Sequence, residues 1–522
     1  MGDLRVKEEE LLSERGKEVK LEISPEEIRS LSSKLLKERH QFLGITAVDF
    51  PRENKIELIY HFASLEDSTF IWARLELNRE SPEVPTISDI YPGADWHERE
   101  AYDLFGVIFT GREELKRILL PDDWIGHPLR KDYSGDEYDW QSQTKEFYYP
   151  FGTVKEKIKE EDGVFYLHVG PQHPVTHGLW RLQLKVRGDT ILEGTPDIGY
   201  IHCGIEKLCE GLNYEQIVPL SERICYGSGM SWSMLYVLGV ESLLGVEPPE
   251  RAQYIRTIVL ELQRITSHLL WLGAFCPDLG TYHSMLLYAI REREKFLDIF
   301  ERITGGRLLY NYPRIGGVSR DIDDRTIEKI KETLKDLESH LEEYEDILDK
   351  NEFFLVRTKG VGVLRGEEAI RWGLTGPCLR AAGFKYDVRK NSPYLLYADL
   401  DFEIPVYKEG DVYSRYRVRI EEMRESSKII NQLIDEIPKG EYRKKVNLRN
   451  VEGEIAFRTE DPRGESMVYI LAKGGEKPHR VKFRSPAYMN LSALRRMLPG
   501  HKVADMAAIV GSIDLCMGEV DR

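Results

Sequence analysis

Apolar residues first line up on a helical stripe, Ile28, Leu31, Leu35 and Leu36, directly behind Ser24-Pro25-Glu26-Glu27. That signal is a capping box with proline in the first helical position, because Ser24 and Glu27 can satisfy the free N–H groups of a first turn. The pattern then shifts to that of strands. Stretches 43–50, 55–62 and 69–77 are dense in β-branched and aromatic residues, and P-R-E-N at 51–54 separates the first two as a hairpin loop. One helix against an antiparallel meander predicts a small α+β domain. From 134 to 163 the apolar pattern lapses into S-G-D-E-Y-D-W-Q-S-Q-T-K-E-F and K-E-K-I-K-E-E-D-G, which has little to bury and predicts a surface linker. Beyond it, strand-like runs at 163–169 and 179–186 precede a region dominated by helical patterns, at 249–273, 283–306 and 325–350. The expected class is therefore α+β: a small α+β domain at 1–133, a linker at 134–163, and a large, mainly helical domain with short antiparallel sheets at 164–522.

Composition narrows the function. The 522 residues, 41% hydrophobic with 27 Tyr and 8 Trp, can fill a large core. A net charge of -16 repels phosphate backbones and argues against nucleic acid as a partner. The longest apolar stretch, 230–246, carries Glu241, and the first twenty residues lack the apolar core of a signal peptide. The expectation is a cytoplasmic protein, or one bound to a membrane only through partners. Six cysteines, at 203, 209, 225, 276, 378 and 516, form no CxxC pair, so no iron–sulfur cluster or metal is expected on this chain. No G-x-G-x-x-G follows a strand, which leaves oxidation of any nucleotide donor to another subunit.

Three strings carry the candidate chemistry of the first domain: W-H-E-R-E-A-Y-D-L-F-G at 96–106, R-I-L-L-P-D-D-W at 117–124 and H-P-L-R-K-D-Y at 127–133. As residues they are charges and aromatics without nucleophile–base spacing, which reads as a structural or docking surface. As a pattern they resemble the thirty-kilodalton subunit of respiratory complex I. The second domain opens with G-P-Q-H-P-V-T-H-G at 170–178, a stiff loop able to present an imidazole to a cavity. This string resembles the forty-nine-kilodalton subunit of complex I, a relative of the large subunit of nickel–iron hydrogenases. The likeness continues through H-C-G-I-E-K at 202–207, N-Y-P-R-I-G-G-V at 311–318, L-T-G-P at 374–377, residues 415–423 and G-S-I-D at 511–514 onward. The two matches span nearly the whole chain, as a fusion of both subunits would.

The resemblance implies roles for individual residues. His177 and Tyr226, the latter in R-I-C-Y, would hydrogen-bond a quinone headgroup, and Asp278 would pair with His177. Quinone reduction consumes two protons, which a His–Asp pair and a phenol can supply. At the four hydrogenase metal-ligand positions stand Cys225, Ser228, Cys516 and Glu519, so both bridging thiolates are missing and nickel–iron chemistry is not expected. Two leftover cysteines are unusual for a quinone reductase; they are either buried small hydrophobes or a reactive thiol pair. Cys203 and Tyr310 stand where basic residues often face the partner's terminal cluster. Arg484 is a candidate for holding an acceptor, with a surface salt bridge as the plain alternative. Glu206 resembles a proton-path glutamate, with Lys207 or Arg223 as its simplest partner.

These implications make the chain a fused peripheral-arm subunit of a complex I-like respiratory oxidoreductase at the cytoplasmic face of the membrane. Its partners would be a small iron–sulfur subunit and integral, ion-pumping membrane subunits, with quinone as substrate. A hydrogenase-related complex reducing sulfur or polysulfide is the second reading, and a non-catalytic assembly scaffold the third.

Overall fold

The computed structural model describes residues 7–13, 15–112, 114–135, 163–171, 177–281 and 283–522. The expected linker at 134–163 falls almost wholly outside these residues, as do Gln172 to Thr176 of the histidine loop. The chain is mixed α+β. Its N-terminal sheet has five strands in the spatial order Lys7–Ser13, Gly16–Glu22, Phe70–Asn78, Lys55–Ser64 and His40–Phe50. Neighbours run antiparallel except Gly16–Glu22 against Phe70–Asn78, where Glu18 lies opposite Phe70 in a parallel register. The predicted meander is thus present, and the helix Ile28–Lys37 follows the predicted capping box. The first two strands were not predicted: K-E-E-E carries no apolar alternation, and in Gly16–Glu22 the alternation is limited to Val19 and Leu21 among charged residues.

Every residue of the strand His40–Phe50 is buried, since the sheet is covered on both faces. One face packs on its own helices. On the other, Leu43, Val48, Ile59, Phe70 and Trp72 form one apolar cluster with Ala456, Met467 and Tyr469 from a second sheet far along the chain. That sheet consists of Glu452–Asp461, Gly464–Lys473 and Arg480–Arg484, all antiparallel. Charged groups fix the docking: Lys482 and Arg522 both reach Glu100, and Arg74 binds Glu454 at 2.6 Å.

The W-H-E-R-E-A-Y-D-L-F-G string forms most of the helix Ala94–Phe105, and its acids are spent on structure. Asp103 Oδ2 accepts the backbone N–H groups of Ile118, Leu119 and Leu120 at 2.9–3.0 Å, while Oδ1 takes Arg117 at 2.7 Å. Glu98 accepts Ile87 N–H and Arg112. This supports the plain reading of the motif, because a buried carboxylate with this many donors is held in place as a clamp.

Downstream, the helix Gly229–Leu244 is buried nearly all round, as its predominantly apolar sequence, broken only by three serines and Glu241, requires. It packs beside Glu250–Asp278, a helix longer than expected because Pro277 is accommodated in its last turn. Ser284–Thr304 and Asp324–Asp349 lie close to their predicted bounds, and Val412–Leu433 packs against the long helix. Among the described residues no helix is long and apolar enough to cross a membrane.

Candidate functional site

Two chain segments meet at the site. The backbone of His177 pairs with the C-terminal segment, donating to Leu515 O at 3.2 Å and accepting from Met517 N at 2.8 Å. Gly178 permits this approach: its φ is +119°, and a Cβ there would stand 2.8 Å from the Met517 Cβ. Tyr226 comes from the turn between the helices Tyr214–Glu222 and Gly229–Leu244, and its hydroxyl lies 2.6 Å from His177 Nδ1. Burial lowers the His177 pKa, helped by Arg463, which favours neutral imidazole. With the phenol donating to Nδ1, the imidazole proton sits on Nε2. Burial, with Cys516 and Cys225 nearby, pushes the phenol up to about 12, so Tyr226 stays protonated at neutral pH. Tyr226 is nevertheless 41% exposed, which puts this pair at a mouth open to solvent.

Beneath the pair, Cys225 and Cys516 are buried, with the Cys516 thiol close enough to Cys225 to raise its pKa. Residues far apart in sequence thus converge, with the two thiols beside His177. Burial, and then the contact with Cys516, raises the Cys225 pKa well above that of a free thiol. Ser228 and Glu519 are also buried there. Glu519 accepts Ser485 Oγ and the Ala487 N–H at 3.1 Å, and burial with Cys225 close by raises its pKa strongly.

The centre of this group is a residue that the sequence reasoning missed. Arg463, in the tight turn between Glu452–Asp461 and Gly464–Lys473, points Nη1 at both Cys225 Sγ and Ser228 Oγ, each at 3.4 Å. Its Nε donates to Asp514 O at 3.0 Å and its Nη2 to Asp514 Oδ1 at 3.3 Å. A guanidinium thus faces Cys225 and Ser228, two of the four residues that the sequence resemblance singled out. Among the described residues no three His, Cys, Asp or Glu side chains are grouped to hold a metal ion. The available signal was D-P-R-G at 461–464, whose Pro and Gly mark a tight turn.

The remaining candidates are distributed differently from the expectation. Asp278 lines the same small cavity as His177, but no hydrogen bond joins the two; burial raises its pKa to about 6. Arg484 does not face this cavity. It is buried between the two sheets, donating to Leu43 O at 2.9 Å and to Glu465 O. Neither Lys207 nor Arg223 is the partner of Glu206; instead it binds Arg480 at 2.7 Å and lies near Lys482 and Arg522 in the seam between the two sheets. Cys203 is exposed and donates to Ile201 O, whereas Tyr310 is buried and stacks on Phe300.

A small sheet domain docked on a region of mixed helices and strands, with a His–Tyr pair above two buried thiols, is the setting in which the class can be assigned: the complex I class, on the sequence matches that follow. Sequence comparisons agree. The family described as respiratory-chain NADH dehydrogenase, 30 Kd subunit, matches residues 21–139, and that described as the 49 Kd subunit matches 278–451 and 444–522. The C/D subunit of the NADH-quinone oxidoreductase of Phocaeicola vulgatus is 40% identical, covering 96% of this chain and 99% of that protein. A C/D subunit from Aquifex aeolicus is 38% identical over 94% of this chain and 93% of its own length. The D subunit of the same enzyme from Dehalococcoides mccartyi is 47% identical over 70% of this chain and 100% of its own. The chain belongs to the family of NADH-quinone oxidoreductase C/D subunits, the fused form of the 30 Kd and 49 Kd subunits. It is also similar to a solved chain from the membrane-bound sulfane sulfur reductase, an archaeal respiratory membrane complex, with a TM-score of 0.67, 36% identity, and coverage of 70% of this chain and 100% of that one.

Proposed function

We propose that the chain forms the acceptor cavity of a complex I-like oxidoreductase and reduces quinone there, with residues 1–133 and 164–522 as its two functional domains. Electrons would arrive from a tetranuclear iron–sulfur cluster in a small partner subunit, and the chain would sit on the cytoplasmic face of the membrane against ion-pumping subunits. The observation that carries this reading is the 2.6 Å contact between Tyr226 and His177 at a solvent-open mouth. A protonated phenol and a neutral imidazole in one hydrogen-bonded pair can deliver a proton to a carbonyl oxygen as it gains electrons. The half-buried Asp278, whose pKa burial raises to about 6, would take a proton from solvent and pass it on to the imidazole. Cys225 and Cys516 without bridging thiolates, with a guanidinium against Cys225, are a poor nickel–iron site, so hydrogen chemistry is not part of the proposal.

A second reading rests on a specific contact. Cys225 and Cys516 adjoin each other under the mouth, and the sulfane sulfur reductase likeness gives thiols at this depth a use as nucleophiles toward a sulfur acceptor. The test is to purify the intact complex, reduce its last cluster, and measure whether a quinone or a polysulfide reoxidises it. Reoxidation by polysulfide alone would reject the quinone reading.

A further inference from the structure

His177, Asp278 and Asp514 line one cavity of about 10 Å³, completed mainly by Trp271, Phe275 and Leu515. That volume is one water position, and an ordered buried water needs two to four polar partners. The apolar walls contribute none: the Trp271 indole N–H is already committed to Gly511 O at 2.7 Å. The three titratable groups are therefore the partners on offer. Asp514 is 2% exposed; its Oδ1 takes Arg463, yet its Oδ2 has no hydrogen-bond partner among the described residues. A bare carboxylate oxygen in such a place is costly unless something donates to it. Asp514 is also held with φ +57°, a left-handed conformation that few residue types other than glycine tolerate. The turn at 511–516 thus supports a side chain that the direct Tyr226–His177 contact does not use.

We propose that one ordered water bridges His177, Asp278 and Asp514, and that Asp514 is the positioning residue that orients it for proton return to His177. The pairing of Asp278 with His177 is then indirect, through the water. The fixed charges around this water are guanidinium groups, Arg463 and Arg419 facing Asp514 and Arg463 and Arg293 facing His177; the buried imidazole of His268, whose pKa burial lowers, also faces Asp514. The kinetic consequence rests on the quinone reading above, whereas the water itself does not.

Two measurements on the intact complex test this. Asp514→Asn keeps the side-chain shape, tolerates the left-handed backbone and can still accept from Arg463, but it turns the free acceptor oxygen into a donor. Quinone-linked kcat is expected to fall by about tenfold or more with KM nearly unchanged, as for a lost proton-transfer partner. A map of the unmodified complex at water-resolving resolution should show density within about 3 Å of all three side chains. Unchanged kcat in Asp514→Asn, or clear side-chain density with no water between the three groups, would overturn the proposal. Water density in a complex that does not reduce quinone would support the site and reject the functional reading alone.

Discussion

The Tyr226 hydroxyl and His177 Nδ1 are 2.6 Å apart, with the two rings nearly perpendicular, so the two candidate proton donors act as one unit. Tyr226→Phe removes the hydroxyl and leaves the ring that packs against the imidazole. Quinone-linked turnover is expected to fall by about 10²-fold or more, the usual scale of general-acid catalysis, while the partner's cluster is still reduced. Steady-state assays on the purified complex, with cluster reduction followed by paramagnetic resonance, check both halves of this outcome.

The sequence revealed groups better than contacts. Helix starts were legible where capping chemistry is local, as at Ser24-Pro25-Glu26-Glu27, and strands where β-branched residues cluster. Gly16–Glu22 pairs in parallel with Phe70–Asn78, and nothing in a charged stretch announces a partner fifty residues away. The site shows the same division. His177, Tyr226 and the two thiols were found through motif resemblance, and the fold does bring them together. Arg463 was passed over because its turn signal says nothing about what lies across from it. Arg484, chosen for its charge, proved to be committed to backbone carbonyls between the sheets. A side chain's charge can be read from one residue, but its direction depends on long-range packing.

Asp103 offers a test of the clamp reading of the first domain. Asp103→Ala would strand two buried N–H groups and one part-buried one at once, and would take from Arg117 its only carboxylate partner among the described residues. At about 1–3 kcal/mol for each unsatisfied buried group, destabilisation should be several kcal/mol or the domain should fail to fold. Asp122→Ala, at an exposed position, should change stability by less than about 0.5 kcal/mol. Thermal or denaturant melts of both variants decide the matter, and equal stability would remove the structural role assigned to the motif.

Glu261 governs the acid limit of the helix that ends at Asp278. Burial would raise its pKa, but Arg264 and Arg389, with Ser426 and Tyr397 donating, hold it down to about 2. A carboxylate with a lowered folded pKa contributes stability above its unfolded value near 4.5 and loses it as pH falls toward 2. The contribution is on the order of 3 kcal/mol. Melting temperature should therefore drop across that window. Glu261→Gln should lower stability at pH 7 and flatten the acid slope, so a variant retaining the full slope would assign the acid transition to other groups.

The thiols separate the two acceptors. If quinone is reduced here, the Cys225 and Cys516 side chains do no chemistry; Cys225→Ala removes a long 3.4 Å contact with Arg463, which keeps its bonds to Asp514, and the contact with the Cys516 thiol. Turnover with quinone should then be nearly unchanged in Cys225→Ala and Cys516→Ala, against the large loss in Tyr226→Phe. If the acceptor is a sulfane sulfur compound, a thiolate must form a new S–S bond with the terminal sulfur and expel the shortened polysulfide, which alanine cannot do. The order of the variants reverses: both alanine variants should lose polysulfide reduction, and Tyr226→Phe should retain most of it. Burial raises the Cys225 pKa and so works against a thiolate there, which weighs toward quinone. Assaying the three variants with both acceptors in the same preparation decides the question, and loss of polysulfide turnover confined to the alanine variants would replace the quinone assignment.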